Sequence, residues 1–478
     1  MARSERYDLV VLGGGTGGLV SAQIAAATGA RVALIERERT GGDCLWTGCV
    51  PSKALLATAE LAHRMRHAGA VGLAPSEPEI DFSAVMRHVH DSQRAIAPED
   101  SPARLRSVGV DVIEANGRFL AQGVIAAGSR RLRCRAAIVA TGSQPMVPPI
   151  DGLGAVEPLT NETIWGLEAL PERLVILGGG PTGCELAQAF ARLGSRVTLV
   201  EMADRLLLKE EPRSSELIAG VLAEEGVDVR LGSPARAVTK SGGESGLVVG
   251  ADRIPFDRLL VAAGRSPSTD GIGLEAIGAR TDGRGAIVVD ERLRTTAKGV
   301  YAVGDVTGAL PFTHVAAYHA RVATPNALFA LRRKVNYQAV PWATFTDPEV
   351  GRVGLTEQDA RERWGDRAVI AGFDYAGSDR AITAGHARGF AKLVGDQRGR
   401  LVGATVAAPA GGEAIAELAA YVAARARIDA VSRQVHAYPT FGEGPARAAD
   451  QHVARKLLNP RTRAATRLAL TALRATQR

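Results

Sequence analysis

Two cysteines, Cys44 and Cys49, form a C-x4-C pair that is suited to redox chemistry. The segment that carries them is rich in glycine and leads into a helix opened by Pro51, since proline suits the first turn of a helix. Cys49 lies close to that helix start, where the dipole lowers the pKa of a thiol and stabilises the thiolate. The pair would also fit half of a structural zinc site, but no nearby C-x2-C or H-x3-H supplies two further ligands. The pattern therefore predicts a redox-active pair and no metal site.

A near-repeat of strand, glycine-rich turn, helix and second strand occurs twice, over residues 7–36 and 174–201. In a dinucleotide-binding motif the first glycine permits a tight turn, the second admits a pyrophosphate and the third lets helix pack on strand, while an acid accepts hydrogen bonds from a ribose. Two copies predict two dinucleotide cofactors in one chain. The residues concerned are Gly13, Gly15, Gly18 and Glu36 in the first copy, and Gly178, Gly180, Gly183 and Glu201 in the second.

Composition and charge exclude several other classes of protein. The 478 residues include 58 basic and 51 acidic ones. The excess of seven equals the number of basic residues from Val453 onward, where no acid occurs, so the rest of the chain offers no charge argument for nucleic acid. The chain shows no secretory signal and no run of about 18 apolar residues that would span a membrane. Four cysteines do not make a disulfide scaffold, so we expect a cytoplasmic protein.

In combination these motifs resemble the class I pyridine nucleotide–disulfide oxidoreductases, the family of glutathione reductase, dihydrolipoamide dehydrogenase and mercuric reductase. The resemblance covers about residues 5–450 and implies a homodimer with an α/β fold: two Rossmann-like dinucleotide-binding domains plus a C-terminal α+β dimerisation domain. The implied segments are residues 1–150 for FAD and the redox pair, 151–275 for NAD(P), 276–340 for a second FAD segment, 341–455 for dimerisation and 456–478 for a basic tail. A solvated helix or a disordered end is the commoner form of such a tail, and an amphipathic helix on an anionic membrane is the alternative.

The resemblance also assigns residues to two cofactors, FAD and NAD, with NADP as the alternative nucleotide. The first glycine motif with Glu36 would bind the ADP part of FAD, and Asp305 would bind its ribitol. The second glycine motif with Glu201 would bind the nicotinamide nucleotide. Further positions that match cofactor-binding motifs are Gly42, Asp43, Lys53, Thr141, Gly142, Ser143, Gly264, Arg265, Phe312, Thr313, His314 and Ala316.

In the implied reaction a reduced nicotinamide passes hydride to the flavin, and electrons continue to a Cys44–Cys49 disulfide and on to a disulfide or related acceptor. Cys49 would be the thiol that contacts the flavin, and Cys44 the thiol that meets the substrate. Lys53 and Glu185 match the family's ion pair beside the flavin.

The chain departs from the family's disulfide reductases at the catalytic base. Their C-terminal His-Pro-Thr motif, followed by a glutamate, supplies an acid/base histidine from the partner subunit. Here Tyr438 stands at the position of that histidine, Glu443 retains the glutamate, and His436 lies two residues before the tyrosine. A tyrosine, whose ordinary pKa is about 10, is a poor base at neutral pH, so His436 is a second candidate for the role. Mercuric reductases also carry a tyrosine here, but they add a C-terminal cysteine pair, and this sequence has no cysteine after Cys184.

Two enzyme functions therefore stay open. The first is a flavoprotein disulfide reductase acting on a small-molecule disulfide. The second is an NADH-dependent reductase of a metal ion, a quinone or another non-disulfide acceptor, for which no histidine base is needed. A non-catalytic redox scaffold is a third interpretation, and the intact motifs for two cofactors argue against it.

We expect the enzyme to prefer NADH to NADPH. The Glu201 carboxylate would bond the 2′-hydroxyl of NADH and repel the 2′-phosphate of NADPH. Arg205 follows closely in the sequence and would offset part of that repulsion. Steady-state kinetics with both nucleotides gives the ratio of the two kcat/KM values, and a preference of about tenfold or more for NADPH would contradict the prediction.

Overall fold

The computed structural model describes residues 5–476, which fall into two compact units. The N-terminal unit runs up to His67 and includes Pro75–Asp204 and Leu222–Val335. The C-terminal unit comprises Ala68–Ala74, Arg205–Val221 and the chain from Asn336 onward. The basic Arg478 of the tail lies outside the described residues. Both units combine separate stretches of chain, so they do not correspond one to one to the consecutive segments expected from the sequence. The boundaries of those segments stay a prediction.

The first part of the N-terminal unit contains the strand–turn–helix motif that was expected from the first glycine repeat. In chain order its elements are β1 (Glu5–Leu12), α1 (Thr16–Ala27), β2 (Val32–Glu36), α2 (Gly42–Trp46), α3 (Cys49–Arg66), α4 (Phe82–Asp100), α5 (Pro102–Ser107), β3 (Val110–Glu114), β4 (Gly117–Ala121), β5 (Val124–Ala127), β6 (Arg130–Val139) and β7 (Ser143–Pro145).

The chain then repeats the motif. The next elements are β8 (Arg173–Leu177), α6 (Pro181–Leu193), β9 (Arg196–Val200), α7 (Pro212–Glu224), β10 (Asp228–Arg230), β11 (Ala235–Ser241), β12 (Glu244–Val249), β13 (Asp252–Phe256), β14 (Arg258–Val261), β15 (Arg265–Pro267), β16 (Val300–Ala302) and α8 (Thr313–Phe329).

Two parallel sheets organise the N-terminal unit. The first has the order β3-β2-β1-β6, with β16 parallel to the end of β6 and the antiparallel strands β5 and β4 continuing from its start. The second has the order β10-β9-β8-β14, all parallel. Residues 9–12 of β1 are almost fully buried, as parallel strands covered on both faces must be. In such sheets ligands bind beyond the carboxyl ends of the strands, which is where both glycine motifs lie.

The C-terminal unit is built on an antiparallel sheet of order β17-β18-β21-β20-β19. Its elements are β17 (Pro341–Thr344), β18 (Glu349–Gly354), α9 (Glu357–Trp364), β19 (Val369–Asp374), α10 (Asp379–Thr383), β20 (Phe390–Gly395), β21 (Leu401–Ala408), α11 (Gly411–Ala423), α12 (Ile428–Arg433), α13 (Glu443–Leu457) and α14 (Pro460–Ala475). The predicted fold class is confirmed: two Rossmann-like sheets and a C-terminal α+β unit. None of the helices within residues 5–476 has the length and apolar character that crossing a membrane requires.

A close contact between glycines holds α11 against β18. A Cβ on Gly351 would lie 2.2 Å from the Gly411 carbonyl oxygen, and a Cβ on Gly411 would lie 2.8 Å from the Glu349 carbonyl oxygen. The helix can therefore approach the strand only because neither residue has a side chain.

We expect Gly351→Ala to lower the free energy of unfolding by about 1–3 kcal/mol, because the helix must move off the sheet to admit the methyl group. Gly372→Ala is the matched control, since its Cβ would be 3.7 Å from the nearest atom, an ordinary contact. Chemical denaturation of both variants measures the difference. Equal losses in the two variants would show that the glycine contact does not limit the packing.

Candidate active site

The first glycine-rich loop, between β1 and α1, has little room for any side chain. Gly13 has a φ of +102°, a conformation that L side chains rarely adopt. A Cβ on Gly18 would lie 1.8 Å from the Gly13 carbonyl oxygen, so only glycine lets α1 approach the strand. Glu36, at the end of β2, accepts a hydrogen bond from the Gly14 N–H at 2.6 Å. The carboxylate thus lies beside the loop, as the ribose-binding acid of a dinucleotide site must.

The second loop, between β8 and α6, repeats this geometry. Gly178 has a φ of +114°, and a Cβ on Gly183 would lie 1.9 Å from the Gly178 carbonyl oxygen. Glu201 accepts a hydrogen bond from the Gly179 N–H, again at 2.6 Å. Helices α1 and α6 both begin without a side-chain cap and without an acidic residue in the first turn, so their N-termini suit phosphates. The donors and the acid of each loop therefore fit a dinucleotide.

A polar cluster lies after β6, at the start of β15 and after β16. Ser143 donates a hydrogen bond to Asp305 Oδ2 at 2.7 Å and accepts one from Arg265 Nε at 2.7 Å. Burial raises the pKa of the Asp305 carboxyl group, while the bond from Ser143 opposes that shift. Arg265 also pairs with Asp43, which immediately precedes Cys44. The residues predicted at separate cofactor motifs thus form one hydrogen-bonded group that reaches the cysteine segment.

The remaining predicted cofactor positions lie at turns and helix starts of the same unit. Gly42 approaches the first loop so closely that its Cβ would be 2.6 Å from the Gly15 Cα. The rings of Phe312 and His314 stack at the start of α8, with centroids 5.4 Å apart. Gly142 and Gly264 have positive φ values in the turns beside β7 and β15. The Thr141 hydroxyl donates a hydrogen bond to the Ser268 carbonyl oxygen at 2.7 Å. Ala316 lies in the first turn of α8.

Cys44 lies in α2, and Cys49 is the first residue of α3. The two cysteines are not disulfide-bonded in this structure. The two thiols hydrogen-bond to each other, and Cys49 Sγ also lies 3.4 Å from Thr313 Oγ1. The bond from Cys44 lowers the pKa of the Cys49 thiol to about 6, with Thr313 and the Lys53 charge adding to the shift against the effect of burial. The same bond, together with burial, raises the pKa of Cys44. The pKa shifts thus favour Cys49 over Cys44 as the thiolate of the pair.

An ion pair between two helices lies beside the thiolate. Lys53 Nζ on α3 is 2.8 Å from Glu185 Oε2 on α6, and the glutamate side chain is only 8% exposed. A buried carboxylate of this kind needs a paired cation, because an unpaired charge in the interior is costly. The Lys53 charge lowers the pKa of the Cys49 thiol and the Glu185 charge raises it. The ion pair therefore influences the pKa of this thiol as well as joining the two helices.

The C-terminal residues expected at the base position lie in the other unit. Tyr438 is exposed, and its hydroxyl donates to Asp379 Oδ2 at 2.5 Å; this bond to a carboxylate raises the pKa of the phenol. His436 Nε2 is 3.1 Å from Glu417 Oε1, and its Nδ1 contacts a backbone carbonyl. Glu443 is buried, and its Oε1 has no hydrogen-bond partner among the described residues. The three residues predicted at the base position thus have separate partners, and one oxygen of Glu443 is unsatisfied among the described residues.

The two other cysteines are packed into the N-terminal unit. Cys184 is fully buried at the start of α6, and its thiol contacts the Gly179 carbonyl oxygen at 3.4 Å. Cys134 is half-buried against the core of the first sheet. Within residues 5–476 no group of three or more His, Cys, Asp or Glu side chains is arranged to hold a metal ion.

Sequence reasoning missed several polar residues that support the site. His319 on α8 is fully buried and accepts a hydrogen bond from the Gly304 N–H at 3.1 Å; burial lowers its pKa to about 4, so it stays neutral. Gln93, Asn161 and Trp165 donate hydrogen bonds to the backbone around Cys44. None belongs to a motif, and the partners are distant in the chain, so no sequence signal marked them.

Comparison with known proteins agrees with this geometry. The family model for the pyridine nucleotide-disulphide oxidoreductases matches residues 7–320, and the model for their dimerisation domain matches residues 340–449, which supports a homodimer. A mercuric reductase from Streptomyces lividans is 37% identical, over 91% of this chain and 94% of that protein. A dihydrolipoyl dehydrogenase from Haloferax volcanii is 36% identical, over 93% and 95%.

Two solved structures superpose on this chain over nearly its whole length. The Cu(II) complex of the HOCl-induced flavoprotein disulfide reductase RclA from Escherichia coli superposes with a TM-score of 0.85 at 28% identity, covering 94% of this chain and 99% of that one. LpdA from Mycobacterium tuberculosis superposes with the same TM-score, identity and coverage.

We expect the alkylation rate of Cys49 in the reduced protein to rise with pH around a midpoint near 6, since the thiolate is the nucleophile and forms above the pKa. Cys44→Ala should move the midpoint upward, because it removes the largest stabilising hydrogen bond, and Lys53→Gln should move it upward by less. Lys334→Gln, which breaks an ion pair with Glu291, is the control and should leave it unchanged. Peptide mass spectrometry after timed alkylation measures each cysteine separately. A wild-type midpoint at the ordinary thiol pKa of about 8.5 would contradict the assignment.

Proposed function

The chain belongs to the pyridine nucleotide-disulphide oxidoreductase family, and we propose that its reduced cysteine pair passes electrons to a thiophilic metal ion such as Cu(II) or Hg(II). Proteins of this family are FAD-dependent, use NAD(P)H and carry electrons through a redox-active disulfide. FAD, when bound, supplies two-electron transfer between the nicotinamide and that disulfide. What the family does not fix is the final acceptor, and the residues of this chain favour one class.

The proposal rests on the hydrogen bonds made by the residues predicted at the base position, Tyr438, His436 and Glu443. Exchange with a disulfide substrate needs a group that takes and returns a proton at the interchange thiol, and this work suits a group with a pKa near 7. The hydrogen bond to Asp379 raises the pKa of Tyr438 above an already high value. His436 is hydrogen-bonded to Glu417 and to a backbone carbonyl, and Glu443 Oε1 has no hydrogen-bond partner among the described residues. These features disfavour lipoamide or glutathione disulfide as the substrate.

A metal ion needs no such base, because thiolates bind it directly. Cys49 is ionised near neutral pH, and Cys44 loses its proton when a metal takes the place of the hydrogen bond between the two sulfurs. Oxidation of the dithiolate to the disulfide releases two electrons, which reduce one Hg(II) to Hg(0) or two Cu(II) to Cu(I). One NADH then restores the dithiol, and NAD⁺ and a proton are released per cycle. A mercuric reductase among the relatives and the Cu(II) complex of RclA support this class of acceptor.

We further propose that NADH is the donor and that Tyr438 of the partner subunit meets Cys44. Glu201 lies at the second loop, and the Arg205 guanidinium is held by Ser215 Oγ and the carbonyl oxygens of residues 208 and 210, so it is not free to neutralise a 2′-phosphate. Roles for the predicted cofactor residues follow the family assignment. A cytoplasmic location suits a cysteine pair that must return to the dithiol.

The test is an anaerobic NADH-dependent screen of Cu(II), Hg(II), lipoamide, glutathione disulfide and a soluble quinone. We expect metal reduction to exceed turnover of both disulfides and Cys44→Ala to abolish it. Tyr438→His should raise lipoamide turnover by about tenfold or more, since it restores the base, whereas Tyr438→Phe should not. Lipoamide turnover by the wild type that exceeds metal reduction would overturn the proposal, as would quinone reduction that exceeds it and survives in Cys44→Ala.

A further inference from the structure

The helix that carries Cys44 is too short to hold itself in place. Helix α2 spans only Gly42–Trp46, and an α-helix leaves its last four carbonyl groups without partners inside the helix. Cys49 differs, because it begins the 18-residue helix α3, which packs on α4 and α6. Cys44 is thus the less constrained member of the pair, and its position depends on what binds the backbone around it.

One side of α2 is bound by a buried glutamine. Gln93 of α4, only 5% exposed, donates from Nε2 to the Trp46 carbonyl oxygen at 2.8 Å and to the Leu45 carbonyl oxygen at 3.3 Å. Its Oε1 lies 3.0 Å from His90 Nδ1, which directs the amide nitrogen toward α2. The amide oxygen and the amide nitrogen of this buried glutamine both have partners. The nitrogen satisfies two carbonyl groups that have no partner within the short helix.

The other side is bound by two residues from the segment before β8. Trp165 is buried and donates from Nε1 to the Thr47 carbonyl oxygen at 3.1 Å and to the Asn161 carbonyl oxygen at 2.7 Å. Asn161 donates from Nδ2 to the same Thr47 oxygen at 3.4 Å, and its Oδ1 accepts from Arg265 at 3.0 Å. The carbonyl groups that follow Cys44 are therefore fixed from two directions.

We propose that Gln93, Asn161 and Trp165 are positioning residues that hold Cys44 against Cys49 and thereby set the reduction potential of the pair. None of them touches a reacting sulfur. The equilibrium between a dithiol and its disulfide depends on how often the two sulfurs meet, which is their effective concentration. A backbone fixed around Cys44 raises that concentration, stabilises the disulfide and makes the pair harder to reduce.

The test uses Gln93→Leu, Trp165→Phe and the double variant, which remove N–H donors while largely keeping side-chain volume. Each FAD-bound protein is equilibrated anaerobically with dithiothreitol and its oxidised form, in which one disulfide is exchanged for another with no net electron change. Differential alkylation and mass spectrometry of the peptide bearing both cysteines then gives the equilibrium constant. We expect the double variant to disfavour the protein disulfide by about tenfold, a rise in reduction potential of ~30 mV, with smaller shifts in the single variants.

A matched control separates this role from general support of the fold. Trp342→Phe removes an indole that donates to Glu210 Oε1 at 2.7 Å in the C-terminal unit, and it should leave the equilibrium constant unchanged. Thermal unfolding of all variants shows whether any fails to fold. Equilibrium constants within about twofold of the wild type in folded single and double variants would overturn the proposal. So would an equal shift in Trp342→Phe. A wild-type pair that does not equilibrate with dithiothreitol at all would instead count against the proposed function.

Discussion

The hydrogen bond between the Cys44 thiol and the Cys49 sulfur is the interaction on which the site depends. It makes two chemically identical groups different, because it lowers the pKa of the Cys49 thiol and raises the pKa of the Cys44 thiol. The bond requires the two residues to be brought together by separate helices of very unequal length. Both helices are bound by polar side chains: an ion pair joins α3 to α6, and amide and indole N–H groups donate to the backbone around α2.

The part of the molecule that could be predicted from the sequence is the part encoded locally. The glycine loops were found because each needs particular residues within a few positions of one another, and both strand–turn–helix units form at those places. The pairing of Lys53 with Glu185 spans 132 positions, and only the family resemblance suggested it. Gln93 and Trp165 could not be found in this way, because a single polar residue in a helix is ordinary until its distant backbone partner is known.

A buried glutamate of the C-terminal unit is incompletely hydrogen-bonded. Glu443 is still buried, yet one of its carboxylate oxygens lacks a partner among the described residues, and burying an unsatisfied polar group costs about 1–3 kcal/mol. The tyrosine has meanwhile acquired a carboxylate partner of its own in Asp379. The two residues predicted at the base position thus differ in how well their polar atoms are satisfied.

The two glycine loops have one difference that their shared backbone conceals. Gly15 and Gly180 begin their helices with the same φ of −75° and with ψ values of −177° and −176°. Around Gly15, however, the chain folds back through Gly42, whereas a Cβ on Gly180 would have no atom within 4 Å. The first loop is therefore more covered by the chain than the second, and a ligand there would exchange with solvent less readily. Two loops with nearly identical backbone conformations thus differ in access, and the segment around Gly42 accounts for the difference.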